Sequence, residues 1–136
     1  MFKGKKVLVL GLAKSGKAAV ELLKFMHADI TINESKKKED IPEYDTYVSE
    51  GIEMVCGGQP DELFERDFDF VVKNPGINYH APFILRLKER GIPVYTEIEL
   101  GYKVAKKQHY IAVTGTNGKT TTVTLIYEIL KAAGRK

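Results

Sequence analysis

The run KVLVL, Lys6 to Leu10, is apolar at successive positions, and a glycine-containing loop and a helical pattern follow it at once. A strand with one face in water alternates polar and apolar side chains, so an unbroken run belongs to a strand covered on both faces. FVV, within DFDFVVKNPG, has the same character, and DITINE, IEMVCGG and IPVYT read as three further short strands. Helix-period segments lie between and after them. SGKAAVELLKFMHA places Ala19, Leu22, Leu23 and Met26 on one face. APFILRLKERG has Pro82 near its start and Gly91 past its end, the expected punctuation of a helix. EIELGYKVAKK is a further helix, YIAVTG a last strand, and KTTTVTLIYEILKAAG a final helix closed by Gly134. Strands alternating with helices imply parallel βαβ units. The predicted fold is therefore α/β: a Rossmann-like open parallel sheet flanked by helices, followed by one more strand and helix.

The first five strands complete a domain over residues 1–96. Residues 97–136 hold a linker, one strand and one helix, too little to bury a core, so the chain reads as a fragment whose second domain is truncated. With 43% hydrophobic and 29% charged residues among 136, the composition is that of a soluble globular protein; a single cysteine fits a reducing cytoplasm, and a monomer is expected. A net charge of +3 is too small to argue for nucleic acid. No apolar stretch approaches the roughly 18 residues of a membrane span. The one cysteine, Cys56, cannot form an internal disulfide and reads as a small buried residue at a strand end. SKKKED, Ser35 to Asp40, reads as a solvated loop of nearly cancelling charge.

Two glycine–lysine loops carry the chemistry. In TGTNGKTT, Thr114 to Thr121, glycines lie between a β-branched strand and a helix, where backbone N–H groups and the helix dipole favour phosphate. Lys119 supplies a cation for the β- and γ-phosphates, and Thr120 a hydroxyl for Mg²⁺. The general G-x-x-x-x-G-K-[ST] spacing is not kept, because its first glycine falls on Val113; Gly115 and Gly118 carry the turn instead. GLAKSGKA meets G-x-x-x-x-G-K through Gly11, Gly16 and Lys17, but Ala18 offers no hydroxyl for a metal. Read as G-x-G-x-x-G it keeps Gly11 and Gly16 and puts Ala13 in the middle place. Glu34, at the end of the second strand, is the expected ribose-binding carboxylate. KNPG, Lys73 to Gly76, leaves the fourth strand at the same carboxyl edge, and Gly76 leaves room for a ligand near the backbone.

Together these segments resemble the Mur ligases of peptidoglycan synthesis, whose own short P-loop is similar to TGTNGKTT. VLGLAKSG, NES, KNPGI and YTEIEL resemble the D-glutamate-adding branch. That resemblance makes the last strand and helix the beginning of a central P-loop ATPase domain. It implies that Gly11, Lys14, Ser15, Gly16, Glu34, Ser35, Lys36, Asn74 and Gly76 hold the UDP of UDP-N-acetylmuramoyl-L-alanine. It assigns ATP to Gly115, Thr116, Asn117, Gly118, Lys119, Thr120 and Thr121, with Lys119 catalytic and Thr120 on Mg²⁺. The implied reaction is phosphorylation of the UDP-substrate's carboxylate, then attack on the acyl phosphate by the amine of D-glutamate. Family members often carry Asp, and Thr or Gly, where Glu34 and Ser35 stand. The family's second metal carboxylate, histidine and modified lysine are expected on later segments, so the 136 residues alone are expected to be inactive as a ligase.

The remaining candidates read as structural. His27, His80 and His109 lack metal-ligand spacing, Glu97 and Glu99 read as helix-start capping, and Tyr44, Tyr47 and Tyr79 as packing. Two rival readings remain. A nicotinamide-dinucleotide-binding regulatory module explains Gly11, Gly16 and Glu34 but not TGTNGKTT, and a non-catalytic protein would use both nucleotides as ligands.

Overall fold

The computed structural model describes residues 2–105 and 109–135. By compactness the chain divides into 1–105 and 106–136. The first unit is a sheet of β1 (Lys6–Leu10), β2 (Asp29–Glu34), β3 (Glu53–Cys56), β4 (Phe70–Lys73) and β5 (Val94–Thr96), in the order β3-β2-β1-β4-β5 with every pairing parallel. The connections are α1 (Lys14–Phe25), α2 (Tyr44–Ser49), α3 (Asp61–Phe64) and α4 (Pro82–Glu89), and α5 (Glu97–Val104) follows β5. The sheet and the five expected strands agree. The short helices α2 and α3 fall in stretches too brief to show a helical period.

The unbroken apolar strands are covered on both faces. Val7, Val9, Ile30, Ile32 and Val72 pack with Ala19, Val20 and Leu23 of α1 and Leu100 of α5. Leu8, Leu10 and Val71 point the other way, onto Phe64 of α3 and Ile84 and Leu87 of α4. Of the predicted α1 face, Ala19 and Leu23 are buried, while Leu22 and Met26 are half-buried at its margin. Helix α5 adds its Leu100 to this core, so the compact unit runs past residue 96. Thr96 caps α5 through a reciprocal box with Glu99, the capping role expected for that carboxylate. The last two residues of the expected EIELGYKVAKK helix lie outside the described residues.

The second unit, by itself, holds the loop before α6 (Lys119–Ala132) and that helix, none of whose residues is buried. The expected strand YIAVTG is corrected here: 110–115 pairs with no strand among the described residues. The apolar pattern of such a segment is only half of a strand, because its N–H and C=O groups need a neighbouring ladder. Cys56 ends β3 as expected, but half-buried, and SKKKED is exposed around a single 3₁₀ turn, Lys38–Asp40. No helix among the described residues is long and apolar enough to cross a membrane.

Leu23 is fully buried where α1 crosses the sheet. Leu23→Ala is expected to lower the unfolding free energy by about 2–5 kcal/mol, read from urea denaturation followed by circular dichroism.

Candidate functional site

From β1 the chain winds to β2 and β3 on one side, then returns to β4 and β5 on the other. The carboxyl ends of β1 and β4 therefore flank a topological switch point, the place where open α/β sheets form a crevice. The β1–α1 loop lies there. Gly11 has φ +85°, a left-handed conformation that disfavours any side chain. A Cβ at Gly16 would lie 1.9 Å from the Gly11 carbonyl oxygen. Both glycines are thus required by geometry: α1 begins directly against the loop that feeds it. Ala13 caps α1 with extended backbone and no side-chain hydrogen bond, and the first turn carries no acidic residue. Such a terminus suits an anion.

Glu34 holds this loop down. Its Oε2 accepts the Leu12 N–H at 2.6 Å, while Oε1 accepts the Ser35 hydroxyl and the Lys36 N–H, each at 3.1 Å. The sequence pattern marked Glu34 as a ribose acceptor; in the fold its carboxylate is first of all a clamp between the β2 exit and the glycine loop. Burial pushes this carboxyl up, but the Leu12 and Lys36 N–H groups, the Ser35 hydroxyl and the Lys36 charge outweigh it and leave it below its ordinary value.

On the other side of the loop, Asn74 ties three pieces together. Its Nδ2 donates to Ser15 Oγ at 3.3 Å, its Oδ1 accepts the Gly76 N–H at 2.9 Å, and its own N–H bonds Leu10 O at 3.0 Å. Below it Lys73 is buried, 2% exposed as a residue. Burial pushes its pKa down, the nearby Glu99 and Glu97 carboxylates oppose that, and the Lys88 charge adds to it.

Two hollows meet at Ala13 and Asn74. The first, of about 320 Å³, is walled by Gly11, Leu12, Asn33, Glu34, Ser35 and Lys36, with Lys17, Asp40, Ile41, Pro42, Glu43 and Gln59 opposite. The second, of about 460 Å³, is walled by Lys14, Ser15, Ala18, Pro75 and Glu97. The fold therefore gathers Gly11, Lys14, Ser15, Gly16, Glu34, Ser35, Lys36, Asn74 and Gly76 around one edge. The wall from Asp40 to Glu43 and the side chains of Asn33 and Gln59 escaped sequence reading. Asn33 belongs to β2, whereas the others come from loops with no motif that only the chain's return past β2 brings there. Lys17 was visible as the lysine of a P-loop-like string; its ammonium lies at the cavity wall, hydrogen-bonded to Glu43. Asn33 is buried and its Nδ2 holds Val55 O and Gly58 O, fixing the exit of β3.

In the second unit the loop 115–118 turns through two left-handed glycines, Gly115 at φ +146° and Gly118 at φ +77°, the latter capping α6. Lys119 Nζ folds back on the carbonyls of Gly115 at 2.5 Å and Thr116 at 3.3 Å. Thr120 and Thr121 lie in the first turn of α6, which contains no acidic residue. Left-handed glycines, a helix start and a lysine on loop carbonyls suit a nucleotide phosphate with its cation. The three histidines are exposed, and no group of metal-ligating side chains forms among the described residues. Tyr47 is core and Tyr44 packs against it, whereas Tyr79 is exposed and its ring covers Lys73 and Lys88.

A parallel sheet with a switch-point crevice, a glycine loop against a helix start and a carboxylate at the β2 end define a Rossmann-like α/β domain. Residues 5–96 match the family described as Mur ligase MurD-like, N-terminal domain, and the chain belongs to that family. It is 48% identical over 135 residues to UDP-N-acetylmuramoylalanine–D-glutamate ligase of Streptococcus agalactiae serotype Ia, covering 99% of this chain and 30% of that protein. Against the enzyme of the same name from Streptococcus pneumoniae the identity is 50% over 134 residues, covering 98% of this chain and 30% of that one. The chain thus spans about a third of the length of these relatives. Among solved structures it is similar to UDP-N-acetylmuramate-alanine ligase MurC of Thermotoga maritima, with 25% identity, a TM-score of 0.60, and coverage of 93% of this chain and 29% of that one. A pseudomurein peptide ligase type C from Methanothermus fervidus gives 28% identity and a TM-score of 0.61, covering 96% of this chain and 27% of that one. Scyllo-inositol dehydrogenase of Lactobacillus casei, at 19% identity, a TM-score of 0.51 and coverage of 79% and 34%, shares the fold.

Because the folded carboxylate of Glu34 is held below its ordinary value of 4.5, its stabilisation is present above that value and is lost as pH falls through the lower folded value. Glu34→Gln should therefore be less stable than the wild type at neutral pH, and its stability should fall less steeply on acidification. Urea midpoints measured from neutral pH down to the acid limb check both.

Proposed function

We propose that the chain supplies the nucleotide-substrate domain and the ATP loop of a ligase that adds D-glutamate to UDP-N-acetylmuramoyl-L-alanine. The observation that carries this reading is the approach of Gly16 to the Gly11 carbonyl, which sets the open start of α1 at the junction of two hollows. A diphosphate has two ends, and this arrangement offers its charge a helix terminus and each end a separate wall. Family membership and the identity to ligases named for this reaction support the same assignment.

On this reading Gly11, Lys14, Ser15, Gly16, Glu34, Ser35, Lys36, Asn74 and Gly76 bind the UDP substrate. Residues 1–96 are its domain, with the start of 97–136 packed onto it as α5 and the remainder a linker and the beginning of the ATPase domain. Gly115 to Thr121 would hold ATP, Lys119 supplying a positive charge beside the transferring phosphoryl group and Thr120 a hydroxyl for Mg²⁺. ATP with Mg²⁺ would supply the phosphoryl group that activates the substrate carboxylate. The chain's own contribution is positional: backbone N–H groups orient phosphate oxygens, and Lys119 exchanges loop carbonyls for ligand charge. The setting is the cytoplasm and the chain acts as a monomer. None of these 136 residues is assigned as a general base toward the D-glutamate amine, so by itself the chain binds substrate without ligating it.

Calorimetry with UDP, UDP-N-acetylmuramoyl-L-alanine and NAD tests the assignment. Binding of both uridine nucleotides, lost in Gly76→Trp, is expected. NAD binding without UDP binding would transfer the site to the nicotinamide reading. Incubation with UDP-N-acetylmuramoyl-L-alanine, D-glutamate, ATP and Mg²⁺ should release no substrate-dependent ADP; such release would overturn the claim of inactivity.

A further inference from the structure

We propose that Lys73 is a positioning residue for the nucleotide, acting from beneath the Asn74–Ile77 turn without touching the ligand; this rests on the uridine-nucleotide reading above. Lys73 closes β4 and stands in register with Leu10 of β1 and Thr96 of β5, at the carboxyl edge beside the central strand. Lysine is almost never fully buried without compensation, yet this side chain is 2% exposed. Its direct partners are dipoles and a ring, with the Glu99 and Glu97 carboxylates nearby: Nζ donates to Ile77 O at 2.8 Å and Asn74 O at 3.3 Å, and lies 4.0 Å from the centroid of the Tyr79 ring. An ammonium has three donors, and these contacts account for them.

Both carbonyls belong to the turn that displays Asn74 and Gly76. Asn74 O also accepts the Ile77 N–H at 3.0 Å, so the ammonium and this bond close the turn together. Above the turn, the Asn74 side chain binds the Gly76 N–H and the Ser15 hydroxyl in the first turn of α1. One string of hydrogen bonds therefore runs from Lys73 through the turn to the helix start where both hollows meet. Stability alone does not call for a charge here, because a neutral donor can satisfy the Ile77 and Asn74 carbonyls without the cost of burying an ammonium. What the ammonium adds is direction: it fixes which way the turn's carbonyls face, and hence where the Asn74 amide and the Gly76 N–H stand.

The test compares the 136-residue wild type with Lys73→Met, which keeps length and removes the donors. UDP affinity is read by calorimetry, folding by thermal melting, and the turn by the Gly76 amide resonance. We expect UDP to bind about tenfold more weakly, the size of one lost charge-assisted interaction. The melting temperature should fall modestly, because the Ile77 carbonyl loses its donor, and the Gly76 resonance should move in the free protein. Where the methionine variant does not fold, Lys73→Gln, which retains an N–H donor, takes the same comparison. Wild-type affinity in the folded variant overturns the positioning role alone, as does an affinity loss that merely tracks melting while the Gly76 resonance stays put. A wild-type chain that fails to bind UDP overturns the reading on which the role rests, whatever the variant does.

Discussion

The missing Cβ at Gly16 is the constraint on which the carboxyl edge depends. With it absent, α1 can start against the Gly11 carbonyl, and the strand-to-helix connection needs only three intervening residues, Gly11 to Ala13. That tightness draws the N-terminus of α1 down to the sheet edge, where Glu34 and Asn74 can reach the loop from either side. A larger residue at either glycine would lift the helix start away from both. The two hollows would then no longer share a wall.

Much of this was legible in the sequence, and the reason is local. Five strands and the helices α1, α4, α5 and α6 have unbroken apolar runs or helical periods, and parallel strands buried on both faces admit few arrangements. Gly11, Gly16 and Glu34 were legible because each answers a backbone demand at fixed spacing. Their exact duties were not. Glu34 reads as a ribose acceptor until the Leu12 N–H is found against it, a contact spanning 22 positions that spacing alone does not reveal. The wall from Asp40 to Glu43 was invisible for the same reason: an exposed loop becomes a cavity wall only once β2 and β3 have paired.

The segment 110–115 shows where local reading fails. Its composition is that of a strand, but a ladder is made by a neighbour, and composition does not say whether one is present. The loop after it behaves differently, since left-handed glycines at 115 and 118, the turn they make and the lysine on its carbonyls are all local interactions. Loop conformation can thus be set within a few residues, whereas strand state cannot.

The two glycine–lysine loops also separate on electrostatic grounds. Lys119 rests on carbonyls of its own loop, partners of partial charge that a phosphate can readily replace. Lys17 faces the Glu43 carboxylate, a full charge, and that hydrogen bond holds the lysine above and the carboxyl below their ordinary values. A ligand anion approaching Lys17 must compete with a carboxylate already there. Adding a threonine at Ala18 would therefore not turn GLAKSGKA into a triphosphate loop. The cation that a triphosphate needs is turned toward the cavity and neutralised, while the start of α1 keeps its backbone N–H groups free of side-chain caps.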